Sequence, residues 1–117
     1  MVNPYSEEER LQAMMAAVFG SVRQHFSHLA VRDVIDPPHR WFDAALARQI
    51  ATYILVVEFD IPRRRVAMMQ MRGRTQILMA VRTVDERLQD PPFKRAYDQM
   101  AARAKDMLMQ EIKRAAA

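Results

Sequence analysis

Residues 62–88 read PRRRVAMMQMRGRTQILMAVRTVDERL, and the glycine in the middle divides two helical patterns. Asp60 is a candidate cap for the first, and Pro62 is tolerated in a first helical turn. A short helix is expected from about Pro62 to Met71. Arg72-Gly73 is the expected turn. A second helix is expected from Arg74 to about Leu88, with Ile77, Val81, Val84 and Leu88 at the spacing of one buried stripe. At about 100° per residue, Thr75, Met79 and Arg82 fall on the opposite side. A short helix, a tight turn and a longer helix make a helix-turn-helix pattern, whose second helix normally enters the major groove of DNA.

The flanking sequence supplies a helical body for this pair. Ser6 is a plausible N-cap, followed by Glu7, Glu8 and Glu9 in the turn where the helix dipole favours acids. A helix is expected to about Phe26, with a stripe of Leu11, Met14, Met15, Val18 and Val22 and a break or bend near Gly20-Ser21. A shorter helix is expected at about Ala30–Ile35, ended by Asp36-Pro37-Pro38. From Trp41 to about Phe59 the pattern is apolar on nearly every side, densest at Leu46, Ile50, Tyr53, Ile54 and Val57. A helix of that kind is normally the central, buried one. Asp90-Pro91-Pro92 reads as a break. A last helix is expected from Phe93 to about Arg114, with Phe93, Tyr97, Met100, Ala104, Met107 and Ile112 on one side. The fold class is therefore all-α: one domain over residues 1–117, a multi-helix helix-turn-helix body with a long C-terminal helix.

Composition agrees and narrows the function. Half of the 117 residues are apolar, 27% are charged and only two are glycine, so a helical globule is favoured over strands or disorder. With no cysteine there is neither a disulfide nor a thiolate zinc site. The acidic N-terminal segment lacks the basic and apolar regions of a signal peptide. No apolar run, neither Ala13–Phe19 nor Tyr53–Val57, is long enough to span a bilayer. A soluble cytoplasmic protein, free of membrane and associated with the nucleoid, is expected.

Charge is unevenly placed. The window from Asp60 to Arg82 holds Arg63, Arg64, Arg65, Arg72, Arg74 and Arg82 against the single acid Asp60, a charge of +5. The net charge of the whole chain is +4, which leaves −1 for the rest. That is the electrostatic footprint of a polyanion partner. Arg63, Arg64 and Arg65 also lie in a first helical turn, where cations oppose the dipole; a docked phosphate would reverse that penalty.

Two blocks carry a family resemblance. Ala47-Arg48-Gln49-Ile50-Ala51-Thr52-Tyr53-Ile54 looks like the ARQIAMYL helix start of the C-terminal domain of the bacterial replication initiator DnaA. Arg72-Gly73-Arg74-Thr75-Gln76-Ile77-Leu78-Met79-Ala80-Val81-Arg82 is similar to that domain's RDHTTVLHAVR signature. The blocks stand one residue closer together than in the family, and the similarity covers roughly residues 17–100. The resemblance implies a Trp-repressor-like helix-turn-helix domain that binds double-stranded DNA. By an ungapped count from Arg48, the family's minor-groove arginine falls on Arg40. The signature's aspartate, histidine and threonine, which read bases, fall on Gly73, Arg74 and Thr75, with Gln76 following. The leading Arg72 is kept. The two changes imply a DNA site different from the family's.

No G-x-x-x-x-G-K-[ST] loop is present, so no nucleotide site and no initiator ATPase is expected. No catalytic residue, cofactor or metal is expected either. His25 and His28 lack a third ligand, His39 lies in a loop, and Asp33, Asp36 and Asp43 form no acid–base pair. Trp41 reads as a core anchor, and Met68, Met69 and Met71 as packing. The expectation is a DNA-binding accessory or regulatory protein, in replication or transcription, with the C-terminal helix as the candidate surface for a homodimer. The alternative is a helical protein-interaction module that kept the fold and lost sequence-specific DNA binding.

Overall fold

A computed structural model of the protein describes residues 6–27 and 42–116. The described residues form an all-α body: α1 (Glu7–His25), α2 (Phe42–Tyr53) running into a π-helical turn (Ile54–Glu58), α3 (Arg63–Gln70), α4 (Arg74–Arg87) and α5 (Pro91–Ala116). The expected helix at 30–35 lies outside them.

Local chemistry accounts for most helix ends. The Ser6 hydroxyl accepts from the Glu9 N–H at 3.3 Å, and three acids fill the first turn of α1. Pro91 and Pro92 open α5 instead of breaking the chain, because a first turn has no use for their missing N–H groups. Asp90 accepts from the Phe93 N–H at 3.3 Å there. Three other expectations need correction. Gly20 does not break α1, which is continuous. A Cβ at Gly20 would stand 3.0 Å from the Met107 methyl, the flexible end of a side chain of α5. Asp60 does not cap α3: it sits at φ 55°, and Pro62 precedes the helix without a side-chain cap. The end of the long apolar helix is π, not α, with the Phe59 N–H reaching back to the Ile54 carbonyl at 3.1 Å.

The core follows the expected stripes except in the π turn, where Val57 is exposed and Leu55 is buried. Val18 and Val22 of α1, Ile50, Ile54 and Leu55 of α2 and its π turn, Val66 of α3, Ile77 and Val84 of α4, and Met100 and Ala104 of α5 are nearly or fully inaccessible. α1 lies along α5, and α2 packs between α1 and α4. α3 rests on α4 and the π turn, so the α3–α4 pair is held from behind by the central helix.

The π turn is also tied to α5 by polar contacts. The Tyr97 hydroxyl donates to Glu58 at 2.8 Å, and the Lys105 ammonium donates to the other Glu58 oxygen at 2.8 Å. The Tyr53 hydroxyl donates to Asp85 at 2.6 Å, and the Tyr53 and Tyr97 rings meet edge to face at 5.4 Å. The Lys105 bond, with that of Tyr97, holds the Glu58 carboxyl below its ordinary value of 4.5 against the opposing effect of burial. Burial, then the Asp85 bond, push Tyr53 from 10.0 up to about 12. The signs are opposite. Glu58 stabilises the fold fully above its unfolded value and loses that contribution as pH falls below 4.5. Tyr53 stabilises below pH 10.0 and loses its contribution as pH rises toward 12. Urea midpoints measured against pH should therefore decline at both ends. Glu58→Gln should blunt the acid limb and leave the alkaline limb in place; an unchanged acid limb would place acid sensitivity elsewhere.

Candidate nucleic-acid interface

α3 and α4 are joined by Met71, Arg72 and Gly73. Met71 ends α3 at φ 54°, in the left-handed region, and its N–H returns to the carbonyls of Ala67 and Met68. Glycine is the residue that favours this conformation. The nearby Gly73 does not occupy it: Gly73 precedes α4 at φ −73°, and no atom lies within 4 Å of an added Cβ. Met71→Gly should raise the free energy of unfolding by about 1 kcal/mol by relieving the strain at residue 71. Chemical denaturation tests this, and a loss of stability would mean that the Met71 side chain holds the turn.

The arginines divide by surroundings. Arg63, Arg64 and Arg65 occupy the exposed first turn of α3, and Arg74, Thr75 and Gln76 the exposed first turn of α4. Arg82 is exposed two turns further along. Neither first turn contains an acid, and neither helix has a side-chain cap. Two dipole-positive ends thus carry added positive charge with no local compensation. Arg65 is drawn aside by Glu7 of α1 at 3.1 Å, an exposed pair of small energetic weight. Arg72 is half-buried and engaged. Arg63, Arg64, Arg74 and Arg82 form no ion pair among the described residues. Arg40, the candidate for the minor groove, lies outside the described residues, as do His28, His39 and Trp41.

Behind this surface is a polar cluster that sequence reading missed. The Arg48 guanidinium and the Thr52 hydroxyl of α2 both donate to the Gln70 side-chain oxygen at the end of α3, at 3.1 and 3.2 Å. All three residues are buried. The amide nitrogen of Gln70 is buried without a partner. A cleft of about 210 Å³ opens beside the cluster, lined by Arg48, Gln70, Arg72, Gln76 and Met79 among others. The available signal was the appearance of Arg48 and Thr52 among the apolar residues of the central helix. Their shared acceptor belongs to another helix, so it could not be paired with them by local spacing.

Elsewhere the titratable side chains are dispersed. No group of three or more histidines, aspartates or glutamates among the described residues is placed to hold a metal. No described helix is long and apolar enough to cross a membrane. No family model, curated protein or solved structure matches the chain.

Proposed function

We propose that the protein binds double-stranded DNA through α3 and α4 as a helix-turn-helix of the DnaA C-terminal type, and acts as an accessory or regulatory factor. The observation that carries this reading is that Arg63, Arg64 and Arg74 stand at two uncapped helix starts and Arg82 two turns further along α4, all exposed and without ion pairs among the described residues. Arg63 and Arg64 meet phosphates. Arg74, Thr75, Gln76 and Arg82 lie along the groove, and Arg74 pairs with the N7 and O6 acceptors of a guanine.

The test is duplex affinity measured against salt. Each phosphate neutralised contributes about 0.9 to the slope of log K against log salt. The two phosphate contacts of Arg63 and Arg64 give a slope of about −1.8, so affinity should fall roughly 12-fold between 50 and 200 mM salt. No detectable complex with any duplex at about 50 mM would overturn the proposal.

The competing reading, a helical interaction module, draws on Met68, Met71 and Met79. They are 73%, 92% and 59% exposed on the same helix pair. Exposed apolar groups at this density also suit a protein partner.

A further inference from the structure

Ile77, Ala80, Val81 and Val84 of α4 are buried. Opposite them, Thr75, Met79 and Arg82 fall within about 60° of one another around the helix axis. All three are exposed, and Met79 keeps 59% of its surface open between a hydroxyl and a guanidinium. A merely solvated face would gain more from a polar residue there, since an exposed thioether forgoes both burial and strong hydrogen bonding. One turn beyond Arg82 the same stripe carries the exposed acid Glu86, beside Asp85. The favourable surface is therefore confined to the first half of the helix. An acidic peptide lying along α4 would run into those carboxylates. A duplex meeting only the N-terminal turns would not. Of the groups exposed in the major groove, one is an alkyl group: the 5-methyl of thymine.

We infer that Met79 is a specificity-determining residue that packs against the 5-methyl group of a thymine in the major groove, between the contacts made by Thr75 and Arg82. This rests on the DNA-binding reading. It adds an apolar component to a recognition surface otherwise made of hydrogen-bond donors. The site preferred by the protein then contains a thymine whose importance lies in its methyl group and not in its pairing edge.

The experiment begins with a duplex selected by the full chain from a random pool. Each thymine is then replaced singly by uracil, which removes the methyl and preserves pairing. With the wild-type chain, one such replacement should weaken binding about three- to five-fold, the effect of exposing one methyl group. Met79→Ala should bind the thymine and uracil duplexes equally, at an unchanged melting temperature. Equal binding of every uracil duplex by the wild-type chain would overturn the inference while leaving DNA binding intact. So would full discrimination retained by Met79→Ala, or a selected site without thymine. Failure to bind any duplex would overturn the proposed function and this inference together. Binding of a labelled acidic amphipathic peptide in that case would assign the methionines to a protein partner.

Discussion

Replacing Arg63, Arg64, Arg74 and Arg82 together by alanine should lower duplex affinity at about 50 mM salt by two orders of magnitude or more. It should also flatten the salt slope by about 1.8 units, the share of the two phosphate contacts. These four side chains are exposed, so their removal opens no cavity. Arg63, Arg64 and Arg74 stand at helix N-termini, where positive charge is unfavourable by about 0.3–1 kcal/mol each before solvent screening. Alanine is also the strongest helix former. The variant should therefore melt no earlier than the wild-type protein, and loss of binding cannot be traced to unfolding. Fluorescence anisotropy over a salt series, beside a thermal melt, checks both halves. Undiminished affinity would move the DNA contacts to another face. A lowered melting temperature would mean that the arginines stabilise the helix pair.

Ile54→Ala should produce the largest loss of stability, about 2–5 kcal/mol, the range for removing a large aliphatic side chain from a closed core. Ile54 is fully inaccessible, and its carbonyl closes the π turn onto the Phe59 N–H. The expected loss is a large share of the roughly 5–15 kcal/mol that holds a typical domain, and corresponds to a fall of about 10–25 °C in melting temperature. Val57 lies in the same turn but is 47% exposed. Val57→Ala should shift the melt by only a few degrees, giving an internal control for the turn itself. Similar melts for the two variants would show that the π turn is not the packing centre this burial pattern describes.

Local rules made the helices legible, and contacts distant in sequence decided the exceptions. Ser6 with three following glutamates specifies a helix start through groups only a few residues apart, and α1 begins there. The alternation of Ile77, Val81 and Val84 likewise fixes the buried side of α4. Gly20 looks like a break in the sequence, but α1 continues through it, and its neighbour Met107 comes from a helix distant in sequence. The π turn is invisible to a 3.6-residue period, which continues through Ile54 and Val57 without a fault. At the candidate site, the arginine excess could be counted directly. Which arginines stand open could not: Arg65 has Glu7 opposite only because α1 passes the start of α3. The methionines were misread for a related reason. Composition favours packing for Met68, Met69 and Met71, but Met68 and Met71 point outward and Met69 alone is half-buried against the core.

α3 has consequences for how the molecule opens. It is eight residues long, starts at an uncapped proline, carries three cations in its first turn and ends on a left-handed methionine. Its end is fastened to α2 through one glutamine oxygen shared by two donors, with the amide nitrogen unsatisfied. An isolated helix of this length has little stability of its own. Local opening should therefore begin here, well below the free energy of global unfolding, while the amides of α1 and α5 remain protected. A polyanion seated at the arginines would offset the electrostatic strain that favours opening. Hydrogen exchange in α3 would then slow on binding more than elsewhere, making the least protected helix of the free protein the one most altered by its ligand.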